Sequence, residues 1–174
     1  MLTYDEVSEL LRYDAESGEL FWISDAYSGF KKSAIQHKSG DIATCPRKDG
    51  RKVVRIKGRL YLAHRVAWIL WNKNWPDEEI DHINGDSSDN RITNLRDCSR
   101  VTNQQNIRNA YGGRDEGAML GTYLDKRKSL TAKRWRSAIS INGKQISLGY
   151  YHTQKEAYAA YVNAKRVAHA GCTI

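Results

Sequence analysis

Ile80-Asp81-His82-Ile83-Asn84-Gly85-Asp86, followed by Asp89-Asn90 and Asn94-Leu95-Arg96, is the stretch around which this 174-residue chain is organised. Ile80–Ile83 reads as a short strand, Asn84–Asn90 as a polar turn and Ser99–Asn109 as a helix. A strand carrying Asp81 and His82, a polar loop, and a helix carrying Asn103 can place three polar groups around one cation. A carboxylate and an amide oxygen are hard donors suited to Mg²⁺ or Mn²⁺, with positions left for water and phosphate. A neutral imidazole beside them can take a proton from a water attacking phosphorus. Asn84-Gly85 alone reads as no more than a tight turn; the complete spaced set is what points to chemistry.

Upstream, Val53–Ile56 and Arg59–Ala63 alternate around Gly58 and predict a hairpin. His64–Trp71 is apolar nearly all round and predicts a buried helix ending before Pro76. Leu20–Ile23 is a short strand preceded by a turn over Asp14–Glu19, and Thr3 with Glu6 forms a capping box that opens the chain on a short helix. His64, at the start of the buried helix, is assigned a supporting place beside the site. Asn106 follows Asn103 at i+3 and shares its face in the same capacity. Trp68, Trp71 and Trp75 are read as packing. His82 is expected to face solvent.

Together, Asp81-His82-Ile83-Asn84-Gly85-Asp86, Asp89-Asn90, Asn94-Leu95-Arg96 and Asn103 resemble the HNH (His-Asn-His) endonucleases, above all the phage and intron homing enzymes whose last histidine is replaced by asparagine. Leu62-Ala63-His64-Arg65-Val66-Ala67-Trp68 and Leu20-Phe21-Trp22 extend the resemblance over most of residues 10–109. Asp97-Cys98 departs from the apolar pair usual in relatives. The resemblance implies a ββα-metal (His-Me finger) domain with one divalent metal per active site, held by Asp81 and Asn103. It implies His82 as general base, and Asn94 as the brace that keeps the His82 ring oriented.

Downstream, Ala110–Ala118 carries three glycines and no apolar period, and is read as a linker. The expected organisation is a nuclease domain over 1–109, a linker over 110–119 and a second domain over 120–174. In the latter, Gly121–Asp125 is a strand, and Arg134–Ile141 and Lys144–Tyr150 flank the hairpin turn Asn142-Gly143. Thr153 and Glu156 cap a helix whose apolar stripe is Ala157, Ala160, Tyr161, Ala164, Val167 and Ala168. Trp135, Ser137, Ile139 and Ile141 should meet that stripe, leaving Arg134, Arg136, Ala138 and Ser140 on the other face with Gln145 and Ser147. Gly121-Thr122-Tyr123, Arg134–Ile139, Asn142-Gly143-Lys144, Leu148–Tyr151 and Glu156-Ala157 resemble the plant-type APETALA/ethylene-response DNA-binding domain. The DNA contacts so implied are Tyr123, Arg127, Arg134, Arg136, Ser140, Gln145 and Ser147.

Charge agrees with a polyanionic partner. The chain has 28 basic and 20 acidic side chains. Residues 41–75 hold a net +7 and residues 120–174 a net +8, against −3 over 1–40 and −4 over 76–119. Basic zones interleaved with Tyr and Trp suit nucleic acid better than a membrane. No run reaches the ~18 apolar residues of a membrane span, Met1–Leu11 lacks the apolar middle of a signal peptide, and Cys45, Cys98 and Cys172 are read as free thiols of a reducing compartment. The expectation is an α+β protein: an N-terminal ββα-metal nuclease followed by a small three-stranded antiparallel sheet packed on one helix. It would be a homing-type endonuclease acting on double-stranded DNA with Mg²⁺ or Mn²⁺, with no small-molecule cofactor. It is expected as a monomer or homodimer, cytoplasmic in the host of a bacteriophage or mobile element. The alternative is a DNA-binding transcription regulator with an inactive nuclease domain.

Overall fold

The computed structural model describes residues 2–27, 35–107, 119–127, 132–169 and 171–173. The chain is mixed α+β and divides into two units, Met1–Ser99 and Arg100–Ile174. The linker read over Ala110–Ala118 and the end of the helix read to Asn109 lie outside the described residues.

The first unit opens with α1 (Tyr4–Ser8), capped as expected: Thr3 Oγ1 accepts from Glu6 N–H at 3.2 Å and Glu6 Oε2 accepts from Thr3 N–H at 3.0 Å. β1 (Leu11–Tyr13) pairs antiparallel with β2 (Leu20–Trp22), and the Asp14 carboxylate ties the intervening turn to Glu16 and Ser17. β3 (Ala26–Tyr27) pairs with β4 (Ile35–His37). β5 (Thr44–Pro46), β6 (Lys52–Ile56) and β7 (Arg59–Leu62) form one antiparallel sheet. The β6–β7 turn puts Lys57 and Gly58 at φ 47° and 80°, the doubly left-handed pair that matches strand twist.

Helix α2 (Ala63–Asn72) follows directly and ends where Lys73 turns left-handed, φ 63°. Its Val66 and Ile69 join Val7, Leu11, Leu20, Val54 and Ile56 in one buried cluster. Trp71 falls on the exposed side, so the helix is not buried all round as expected. Ala67, on the same helix, packs with Ile80 and Leu95. Those two belong to β8 (Glu79–His82) and β9 (Leu95–Cys98), which pair antiparallel with Asp81 opposite Arg96 and His82 opposite Leu95.

The second unit begins with α3 (Arg100–Gln105), which carries Asn103. Three contacts inside this unit hold its end: Gly171 N–H donates to Gln105 Oε1 at 3.1 Å, the Thr173 hydroxyl donates to Asn106 Oδ1, and Lys165 Nζ donates to Ile107 O. β10 (Thr122–Leu124), β11 (Trp135–Ile141) and β12 (Lys144–Tyr151) make a three-stranded antiparallel sheet in that order. Asn142 and Gly143 turn at φ 50° and 76°. Helix α4 (Gln154–Ala168) packs on the sheet and carries the expected Thr153–Glu156 capping box. Its buried line is Ala157, Tyr161 and Lys165, at i, i+4 and i+8. Val167, expected in the stripe, is 91% exposed. The short stem of Val167 rotates off that line, whereas the long Lys165 stem lies along it and delivers its ammonium to a carbonyl.

Glycine geometry gives a test of how closely the β1–β2 turn meets the rest of the first unit. Gly18 has φ 75°, and a Cβ there would fall 2.5 Å from Arg91 N and 2.6 Å from Asn90 C, whereas Gly40 has φ 87° and open space. Gly40→Ala should cost about 1–2 kcal/mol for its left-handed backbone. Gly18→Ala should add about 1–3 kcal/mol of overpacking against backbone that cannot rotate away. Denaturant melts of the two variants check this, and equal losses would contradict the close approach.

Candidate active site

Asp81 and His82 end a strand of which three of four residues are buried. Asp81 is 5% exposed and lies on the face of β8 shared with Arg96 across the pair. Arg96 Nε and Nη2 both donate to Asp81 Oδ2, at 2.9 and 2.7 Å. A buried carboxylate is tolerable only when charge-compensated and hydrogen-bonded, and this cross-strand fork supplies both.

His82 points the other way, toward α2. It is 8% exposed, so the expected solvent-facing side chain is instead a buried one. The correction has a plain cause: strand alternation puts His82 on the face of Ile80, which packs on α2. There its ring meets that of His64 edge-on, with centroids 5.0 Å apart. Its Nε2 lies 3.0 Å from Asn90 Oδ1.

The loop between the strands is closed by Asn94. Asn94 Oδ1 accepts from Asn84 N–H at 2.8 Å and Nδ2 donates to Asp89 O at 2.7 Å, while the Asn94 carbonyl accepts from Ile83 N–H. One side chain thus ties both ends of the loop together. Asp86 folds the loop further by accepting from Ser88 N–H and Oγ. Asp89 accepts from Arg91 Nε and Nη2 and from Asn84 Nδ2. The Arg91 guanidinium, first among these, holds the Asp89 carboxyl down to about 2. Asn90, which sequence reasoning placed in the motif without a role, is buried at the loop's inner side and reaches His82.

His64 is the most perturbed group here. Burial above all, then the neighbouring His82 and the positive field of Arg51 and Arg65, push its pKa from 6.5 down to about 3. It is neutral at any ordinary pH.

Asn103 and Asn106 belong to the second unit; Asn106 is buried and Asn103 lies mid-helix on α3. Among the described residues no group of three or more His, Cys, Asp or Glu side chains is placed to hold a metal ion. The ligand set expected by resemblance contains one carboxylate and one amide oxygen, so it is not of that kind. The donor chemistry of Asp81 and Asn103 suits a hard divalent cation.

Residues 61–106 match the HNH endonuclease family. The similarity supports nuclease chemistry, and an HNH nuclease domain implies DNA as substrate. The matched region sits mid-chain rather than at the N-terminus, since α1 and β1–β6 precede it. No curated protein and no solved structure matches the chain. Among the described residues no helix is long and apolar enough to cross a membrane.

The sheet of the second unit carries the remaining expected site residues. Tyr123, Arg136 and Tyr150 lie side by side across the three strands. The same face continues through Ser140 opposite Gln145 and Ala138 opposite Ser147. Ala138 is buried, whereas Ser140, Gln145 and Ser147 are exposed. Arg127 extends from the end of β10, paired with Asp125 at 3.1 Å, and Arg134 stands just before β11 with its Nε buried. An open cleft of about 430 Å³ is lined by Tyr123, Asp125, Lys126, Arg127, Arg136 and Tyr150, with Leu124.

Simple alternation does not put Tyr150 on this face, because it leads from Gln145 and Ser147 to Gly149 and Tyr151. The register shifts between Ser137 and Ala138, leaving Leu148 as an extra residue that brings Tyr150 to the Arg136 face. The one local signal is Gly149, at φ 116°, since bulges favour glycine.

His64 supplies the pH prediction. Its folded pKa lies below the unfolded value, so unfolding takes up a proton between the two. The first unit should be most stable above pH 6.5 and lose stability as pH falls from 6.5 toward about 3. His64→Leu should flatten that dependence in urea melts taken across the range; an unaltered slope would remove His64 from its cause.

Proposed function

We propose that this chain is a homing-type, site-directed DNA endonuclease that hydrolyses phosphodiester bonds with one divalent metal. The observation that carries the reading is the pairing of a charge-compensated Asp81 with an adjacent, hydrogen-bonded His82 inside the segment that matches HNH endonucleases. Asp81 and Asn103 would hold Mg²⁺ or Mn²⁺, which when bound supplies Lewis-acid stabilisation of the phosphorane and the departing 3′ oxygen. Arg96 fixes the Asp81 carboxylate in one orientation. His82 accepts the proton of the attacking water as general base. Asn94 keeps the loop closed so that the ring and the carboxylate hold their places, with His64 packed beside the ring and Asn106 beside the α3 end as supports. A ββα-metal arrangement of β8, β9 and α3, which occur in that order along the chain, belongs to this proposal, as do the domains at 1–109 and 120–174.

The sheet face of residues 120–174 is the proposed reader of duplex DNA. Its exposed Tyr123, Tyr150, Ser140, Gln145 and Ser147, with the half-buried Arg136, are side chains that hydrogen-bond base edges and phosphates, and Arg127, Arg134 and Lys126 add positive charge at its edge.

The nuclease proposal is checked by incubating the protein with duplex DNA and Mg²⁺, Mn²⁺ or EDTA. Cleavage should require the metal. Asp81→Ala and Asn103→Ala should abolish cutting at nearly unchanged DNA affinity, which resides mainly in phosphate and groove contacts. His82→Ala should lose roughly 10²–10⁴-fold in rate. Tight DNA binding with no cutting under either metal would favour a transcription regulator.

The reader is checked by binding titrations against a set of sequences. Arg136→Ala should cost about 1–3 kcal/mol and relax preference at one position if Arg136 reads a guanine edge. Tyr150→Ala should weaken the same position. Uniform weakening across all sequences would reduce Arg136 to a phosphate contact.

A further inference from the structure

The groups that hold His82 extend beyond residues 61–106. Asn90 is 2% exposed, and its Oδ1 lies 3.0 Å from His82 Nε2. Its Nδ2 is buried with no partner among the described residues. A buried amide that leaves its N–H groups unmatched incurs a desolvation cost. Its position is therefore explained by what the oxygen does.

The backbone of Asn90 is fixed from a distant part of the chain. Tyr13 Oη, on β1, donates to Asn90 O at 2.8 Å. Gly18, in the β1–β2 turn, approaches so closely that a Cβ would overlap Asn90 C and Arg91 N. Tyr13 is itself half-buried, and burial pushes its hydroxyl pKa up to about 12, so it remains a donor throughout the working pH range.

We propose that Asn90 is a positioning residue for His82, and that the β1–β2 hairpin, through Tyr13 and Gly18, is the element that places Asn90. The inference rests on the nuclease reading, in which His82 is the base. An Nε2–H donating to Asn90 Oδ1 fixes the tautomer whose lone pair is on Nδ1. The proton taken from water then goes to Nδ1. The ring becomes an imidazolium, and its Nε2–H bond to Asn90 becomes charge-assisted and stronger. Ring orientation and tautomer are thus set by one amide oxygen, much as second partners orient ligating histidines. The N-terminal hairpin becomes part of the machinery of the site rather than a separate structural layer.

The test combines cleavage kinetics with ¹⁵N NMR of the His82 ring in metal-free, DNA-free full-length protein. In the wild type the neutral ring should carry its proton on Nε2. Asn90→Leu, close in volume but without an acceptor, should abolish that preference and lower kcat about 10–100-fold with KM unchanged. Asn90→Asp restores an acceptor oxygen at the same place and should recover most of the rate. Tyr13→Phe, which keeps the ring and removes only the bond to Asn90 O, should lower kcat severalfold and shift the His82 ring signals. An Nδ1–H ring in the wild type, or wild-type kcat in Asn90→Leu, would overturn the proposal. Tyr13→Phe with unchanged ring signals and rate would overturn the role of the hairpin. If Asn90→Leu does not fold, Asn90→Asp and Tyr13→Phe decide the matter on the same readings. Failure of the nuclease reading looks different: wild-type protein with an Nε2–H ring that cuts no DNA with either metal.

Discussion

Two consecutive polar side chains, Asp81 and His82, are buried at the end of one strand, and each has to find a partner in an almost dry interior. Leaving either unpaired would cost several kcal/mol, a large part of a typical domain's net stability of about 5–15 kcal/mol. Alternation sends them to opposite faces, so no single partner can serve both. Asp81 is met from the neighbouring strand by Arg96, which stands opposite it. His82 is met from the loop by Asn90. The chain between β8 and β9 must therefore leave the strand, deliver Asn90 to the inside and return with Arg96 in register. Asn94 makes that path reproducible by bonding to the loop at both Asn84 and Asp89. The same arrangement that satisfies the buried groups leaves a fixed carboxylate next to an oriented imidazole.

Local signals were legible in the sequence and distant ones were not. Both capping boxes, the Lys57-Gly58 and Asn142-Gly143 turns and the strand carrying Asp81 and His82 depend on neighbours within a few residues, and they stand where the pattern put them. The short strands β1, β3, β4 and β5 carry too few residues to show a period. The burial of His82 depends on α2 packing over β8, and the role of Asn90 depends on Tyr13, 77 positions away. No spacing rule reaches so far. On α4, hydropathy favoured Val167 over Lys165, although geometry buries a lysine whose end finds a carbonyl.

The second unit shows how one inserted residue alters a surface. Regular alternation would have set glycine and Tyr151 on the face of Gln145 and Ser147. Leu148 breaks the register, and Tyr150 arrives beside Arg136 with Tyr123 on its other side. Arg136 stands between Tyr123 and Tyr150 in the strand register, and its Nη2 donates to Gln145 Oε1 at 3.5 Å; in the proposed reader, a guanidinium tethered in this way discriminates between base edges better than a mobile one. The net +8 of residues 120–174 supplies long-range attraction to a polyanion, and the tyrosine–arginine row supplies shape. Field and row together are what the proposed reader would use, first to find DNA and then to select among its sequences.

In the proposed reaction His82 takes a proton from a solvent water as that water attacks the phosphodiester, and the 3′ oxygen departs. Single-turnover cleavage of duplex DNA in H₂¹⁸O, with mass analysis of the new termini, tests it most directly. The expected products are a new 5′-phosphate carrying one ¹⁸O atom and an unlabelled 3′-hydroxyl. A 3′-phosphate, or a cut whose new 5′-phosphate carries no solvent oxygen, would contradict it.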